Sequence, residues 1–214
     1  MFKIRFYYPI VLCMVGFVNI SYGLKNLAVS KSKVESYYLC GKYDNKINKI
    51  VDKAIRHFAK VACPFDKTVI FDIDDTVLST FNLEKSIQFG YVHNIAIAAE
   101  NRGKLPAIPA TKRLYDFIVD RGFHVVFISG RTSEEYEATR RNLIEQGFTK
   151  FDAIIMRSPE EIKLTAQNYK KQWRKQLEKD GYSIASSVGD QWSDLCGGHA
   201  GYQVKLPNYM YILK

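Results

Sequence analysis

Between Lys67 and Thr80 the sequence reads KTVIFDIDDTVLST, a short apolar run passing straight into three carboxylates. Thr68-Val69-Ile70-Phe71 has the make-up of a strand buried on both faces, as in the sheet of an α/β fold. Asp72-Ile73-Asp74-Asp75-Thr76 follow at once. On an extended backbone, side chains at i and i+2 share a face. Asp72 and Asp74 therefore aim into one space at the strand's carboxyl end, where open α/β sheets place their ligand crevices. Like charges packed there oppose folding unless a cation or a reaction needs them. An acidic turn that merely closes a buried strand is the competing explanation.

Strand and helix alternate through the rest of the chain. Phe123–Ile128 is a second apolar strand, Phe151–Met156 carries a third, Ile184–Val188 is a fourth, and Tyr202–Leu206 supplies a last edge strand. Helices fill the intervals: Ala110–Asp120 closed by Gly122, Ser133–Gln146 stopped by Gly147, and Asn168–Asp180 stopped by Gly181. This order means a parallel sheet with crossover helices. Ahead of it, Ser30–Tyr38 and Tyr43–Val61 read as helices, the second with an apolar stripe through Ile47, Val51, Ala54 and Phe58. Residues 77–108 interrupt the pattern with an insertion rich in aromatics and amides, its end punctuated by Pro106 and Pro109.

Two more strand ends carry chemistry. After the second strand, Ser129-Gly130-Arg131-Thr132 offers a small hydroxyl and a helix N-terminus, both able to donate to phosphate oxygens. After the fourth, Gly189-Asp190-Gln191-Trp192-Ser193-Asp194 sets two carboxylates four residues apart, which suits a hard cation. In the preceding helix Tyr169, Trp173 and Leu177 recur at every fourth position. Lys170 and Arg174 then lie together beside the buried stripe, while Lys171 and Lys175 lie farther round.

DIDDT behind an apolar strand resembles the first motif, DxDx(T/V), of the haloacid-dehalogenase-like (HAD) superfamily, and FISGR resembles its second. A Tyr-Lys pair followed four residues later by Arg resembles the third, and GDQWSDL is similar to the secreted acid phosphatase branch in particular. That branch includes class B bacterial enzymes and the plant vegetative-storage-protein relatives. The resemblance runs from about Asn45 to the C-terminus. It implies an α/β fold: a Rossmann-like parallel sheet of HAD type with helices on both faces, a small cap insertion at about 77–108 governing substrate access, and a helical N-terminal extension. It further implies Asp72 as nucleophile, forming an aspartyl-phosphate, and Asp74 as general acid and base. Ser129 and Lys170 would bind phosphate. Mg²⁺ would be held by Asp72, the Asp74 carbonyl and Asp190, with Asp194 binding directly or through waters. Asp75 is expected to point away by alternation, and Thr76 to bond the turn. Hydrolysis of small phosphomonoesters is the expected reaction, nucleotides and sugar phosphates fitting equally. Phosphotransfer to an alcohol on the same site, or a non-catalytic storage or binding role, are the alternatives. The intact Asp72/Asp74 pair argues against the last.

The N-terminus has its own signature. Lys3 and Arg5 precede an apolar run from Phe6 to Ile20, then Ser21-Tyr22-Gly23, small at positions −3 and −1 of a cut. That is a secretory signal peptide in outline, and the run is short for a membrane span. Residues 1–23 are thus expected to be a leader and 24–214 a single domain, exported to a periplasmic or extracellular space without a stable membrane anchor. Cleavage removes two of the cations behind the formal charge of +9. The remaining Lys and Arg fall largely on helix faces, which suits anionic small substrates and gives no support for a specific nucleic-acid partner. Cys40, Cys63 and Cys196 would remain, an odd number with neither a disulfide framework nor zinc-site spacing.

Overall fold

The computed structural model describes residues 26–90 and 92–213, so the expected leader at 1–23 lies outside the described residues. Strands β1 (Thr68–Phe71), β2 (His124–Thr132), β3 (Ala153–Arg157), β4 (Ile184–Gly189) and β5 (Tyr202–Lys205) form one parallel sheet in the order β3-β2-β1-β4-β5. Every residue of β1 is buried, as its central place requires. The helices are α1 (Leu27–Leu39), α2 (Lys42–Phe58), α3 (Phe81–Ser86), α4 (His93–Arg102), α5 (Pro109–Asp120), α6 (Tyr136–Glu145) and α7 (Ala166–Lys179).

Alternation along the strands divides the interior into two cores. Val69, Phe71, Val125 and Phe127 point to one face, and Ile70, Val126 and Ile128 to the other. The first face is covered by the stripe of α2 (Ile47, Val51, Phe58), by Leu114 and Ile118 of α5, and by Leu143 of α6. Tyr169 and Leu177 of α7 cover the second. Lys170 sits next to Tyr169 on α7, so the packing of one side chain fixes the direction of the other.

Two expectations need correction. The second strand does not stop at Ile128. Its pairing with β3 breaks after Ile128 and resumes at Thr132↔Arg157, which carries the backbone four residues farther. The helix expected from Ser133 starts instead at Tyr136, because Thr132 and Glu135 close a capping box around a single 3₁₀ turn, Ser133–Glu135. No α-helix N-terminus therefore opens directly onto Ser129.

The insertion leaves and rejoins the domain at one point. Ser79 N–H donates to the Pro106 carbonyl at 2.8 Å, and Ile108 N–H to that of Val77 at 2.9 Å. α3 and α4 lie between these stems. At the N-terminal side α1 buries none of its residues; Tyr38 stacks on Tyr43 of α2 at 4.4 Å between ring centroids and on Phe81 of α3 at 4.8 Å. Cys40, Cys63 and Cys196 are unpaired. Among the described residues no helix is long and apolar enough to cross a membrane.

Candidate active site

The carboxyl ends of β1, β2 and β4 open onto a cavity of about 570 Å³, walled on its far side by the insertion and by residues 211–213. Asp72 leaves β1 with its N–H still bonded to the Val188 carbonyl of β4 at 3.0 Å, and the chain then turns sharply. The Ile73 carbonyl accepts from the N–H groups of Thr76, Val77 and Leu78. Asp75 sits in the left-handed region at φ +54°. It does point away from Asp72 and Asp74, but it is not idle. Its buried carboxylate accepts from the Thr80 N–H (2.9 Å), the Thr80 hydroxyl (2.5 Å) and the Tyr211 hydroxyl (2.8 Å). Burial outweighs these bonds and pushes its pKa up to about 7. Thr76 bonds the turn through its N–H, but its side chain reaches across to the turn after β4. Its hydroxyl donates to Asp190 Oδ1 at 3.1 Å and accepts from the Asp190 N–H at 3.1 Å.

Asp190 and Asp194 are set by the turn after β4. Gln191 N–H donates to Asp194 Oδ2 at 2.8 Å. A Cβ on Gly189 would stand 2.3 Å from the Asp194 Cβ, so only glycine allows that carboxylate to fold back against the strand. Arg174, buried on α7, fixes the turn from below: its guanidinium donates to the carbonyls of Asp194 (2.6 Å), Cys196 (2.5 Å) and Gly198 (3.1 Å). The Asn208 amide adds a bond to Asp190 Oδ2 at 2.7 Å.

The result is a convergence of Asp72, Asp190 and Asp194, all buried, each offering one oxygen within 4.8 Å of the others. Lys170 lies among them. Its ammonium donates to Asp72 Oδ1 and, at 2.6 Å, to Asp194 Oδ1. Burial works against that ammonium, yet Asp194 and Asp72 hold its pKa above the usual lysine value. Asp72 lies well above the ordinary carboxylate range, because burial and the neighbouring aspartates outweigh Lys170. Burial first, then Asp194 and Asp75, push Asp190 up to about 7. One ammonium thus partly offsets three carboxylates. An all-oxygen donor set with unbalanced negative charge fits a hard divalent cation.

The Asp74 carboxylate is not in that group. It is half-buried and held by Arg131, whose Nη2 and Nε donate to its two oxygens at 2.6 and 2.9 Å. Arg131 is the residue the sequence reading passed over, although it belongs to the quoted FISGR run. Ser129 is fully buried. Its Oγ accepts from the Arg131 N–H at 3.2 Å, which leaves its own O–H to donate. Gly130, Arg131 and Thr132 line the cavity at this strand end. Lys170 and Arg174 face inward while Lys171 is exposed, the arrangement read from the helix stripe. Asn208 and Tyr211 had no local signal, standing 18 positions from Asp190 and 136 from Asp75.

Comparison with known proteins converges on one group. The family described as HAD superfamily, subfamily IIIB (Acid phosphatase) matches residues 25–214. Vegetative storage protein 1 of Arabidopsis thaliana is 35% identical over 189 residues, covering 85% of this chain and 69% of that protein. Acid phosphatase 1 of Solanum lycopersicum is 30% identical over 186 residues, covering 84% and 73%. Among solved structures, the class C acid phosphatase from Bacillus anthracis with tungstate bound shares the fold, with a TM-score of 0.68 at 20% identity over 88% of this chain and 87% of that one.

Proposed function

The chain belongs to the HAD superfamily, subfamily IIIB, the acid phosphatases, and on that premise we propose that it is an exported, Mg²⁺-dependent enzyme that hydrolyses small phosphomonoesters through an aspartyl-phosphate on Asp72. The observation that carries this reading is the placement of Asp72. It sits at the end of the central strand, bonded to Lys170 and within a ligand's reach of Asp190 and Asp194, with Asp74 on the same cavity wall.

In the first step an Asp72 oxygen attacks phosphorus and the ester P–O bond breaks, with Asp74 giving its proton to the departing alkoxide. In the second, Asp74 takes a proton from water, the hydroxide attacks the phosphoryl group, and Asp72 is released with inorganic phosphate. Lys170 and the Ser129 hydroxyl hold the phosphoryl oxygens through both steps. Asp72, Asp190 and the Asp74 carbonyl would bind Mg²⁺, with Asp194 beside it; when bound, the ion offsets charge on the transferring group. Arg131 fixes the direction of the Asp74 carboxylate on the cavity wall.

Similarity to a vegetative storage protein favours a second reading, in which the fold is kept without turnover. A phosphate-release assay separates the two. With a panel of phosphomonoesters, release should stop in excess chelator and return with Mg²⁺. Asp72→Asn, nearly isosteric, should lower turnover by about a thousandfold or more with the melting temperature little changed. Near-normal turnover in that variant would end the aspartyl-phosphate mechanism, and no release from the unaltered protein would favour storage. Adding an alcohol acceptor and measuring its phosphorylated product tests for phosphotransfer. Export rests on the pattern of residues 1–23; intact mass showing Met1 retained on cytoplasmic protein would refute it.

A further inference from the structure

Beyond Asp74 the cavity runs beneath the insertion and its lining changes character. Leu83, Phe89 and Ile97 give an apolar wall, and Glu84, Glu100 and Glu135 supply the polar groups. Glu135 is only 2% exposed. Its Oε2 accepts from the N–H and hydroxyl of Thr132 at 2.8 and 3.0 Å, but its Oε1 has no hydrogen-bond donor. A buried carboxylate oxygen left in that state is costly, and it calls for a donor. The Glu100 carboxyl lies against Glu135. Burial, and then the neighbouring Glu135 carboxyl, push its pKa up to about 9. Both acids line the same part of the cavity. Arg131, beside them, directs three of its five N–H groups elsewhere: Nε and Nη2 go to Asp74, and Nη1 goes to Thr139 at 2.9 Å. Arg157, also on the lining, donates to the Leu164 carbonyl at 2.9 Å and lies over the Tyr169 ring at the α7 end.

We propose that Glu100 and Glu135 form a leaving-group subsite for a primary ammonium on a short apolar stem, making aminoalkyl phosphomonoesters the preferred substrate class. The inference rests on the proposed role of Asp74, because Arg131 ties Asp74 to this end of the cavity and the leaving oxygen must lie beside Asp74. An ammonium brings three N–H donors, can satisfy Glu135 Oε1, and sets a positive charge against the two acids. The stem lies against Leu83 and Ile97. A leaving group carrying an anion meets Glu84 and Glu135 instead. Hydrolysis consumes water and yields an amino alcohol and inorganic phosphate.

The test compares kcat/KM in Mg²⁺ for 2-aminoethyl phosphate, propyl phosphate of the same length without charge, and carboxymethyl phosphate. The amine should exceed the propyl ester at least tenfold, with the carboxylate last. Glu100→Gln should bring the amine-to-propyl ratio to within about twofold of unity. Equal constants in the unaltered protein, a preference for the carboxylate, or an unchanged ratio in Glu100→Gln would each overturn the subsite. If no ester is turned over, the phosphatase reading falls. Calorimetric binding of the same three esters then decides the subsite on its own: the same ranking supports it and equal affinities overturn it.

Discussion

At the strand end of the cavity, Asp72, Asp190 and Asp194 surround a buried ammonium. At the insertion end, Glu100 and Glu135 line the cavity together, and a Glu135 oxygen is buried without a partner. The strand-end carboxylates come from the ends of two adjacent parallel strands, and Thr76, Gln191, Asn208 and Arg174 all brace them or their turn. The insertion-end pair joins α4 to the 3₁₀ turn after β2, and one oxygen is left without a donor. Both ends concentrate acid, but the first bonds a lysine directly, whereas Arg131, beside the second, is bonded to Asp74. A site built for an invariant group can be braced from all sides, whereas one that receives a variable group needs an unsatisfied atom.

That contrast can be broken in three places. The largest effect is expected at Lys170, the one cation within the aspartate group. Lys170→Ala should lower turnover on the order of a hundredfold or more, and exposed Lys171→Ala less than about threefold. Thermal melting in Mg²⁺ separates lost chemistry from lost folding, and equal losses in the two variants would show that the buried position does not matter. Next is Gly189→Ala, whose new Cβ overlaps Asp194. It should cost about 1–3 kcal/mol by chemical denaturation and raise the Mg²⁺ needed for half-maximal activity. Unchanged stability would mean that Asp194 moves aside without penalty.

The smallest effect concerns the insertion end. Burial, and then the neighbouring Glu135 carboxyl, push the Glu100 pKa up to about 9 in the folded protein, from about 4.5 for a free glutamate. Between those values the folded protein holds the proton that the unfolded chain releases, so this group's contribution to stability falls as pH rises through that window. Melting temperature followed from pH 5 to pH 9 should decline less steeply in Glu100→Gln than in the unaltered protein. Parallel curves would show that Glu100 does not carry this proton.

Much of the strand end was legible in the sequence because its signals are local. The run TVIF in front of DIDD marks a central strand, and the Tyr169–Trp173–Leu177 stripe sets Lys170 facing in and Lys171 facing out. The periodicity and the packing agree there. Legibility failed where a partner lies far along the chain. The hold of Arg131 on Asp74 spans 57 positions and that of Tyr211 on Asp75 spans 136, and neither residue stands in a periodic pattern. The helix start expected at Ser133 failed in another way. Its capping box is a local signal, but it closes a 3₁₀ turn, and the strand before it runs on through Thr132. Residues 77–108 gave composition without period, which marks an excursion but does not show that Glu84 and Glu100 face inward.

The bonds from residues 208–213 bear on the order of events during synthesis. A chain ending at Leu206 would already contain all five strands and the side chains of both cores. It still lacks the Asn208 amide on Asp190, the Tyr211 hydroxyl on Asp75, and the Leu213 N–H on the Gln191 side chain at 3.1 Å. The scaffold is therefore complete before the pocket is, and the acidic centre gains these braces and its outer wall only once residues 208–213 have been added.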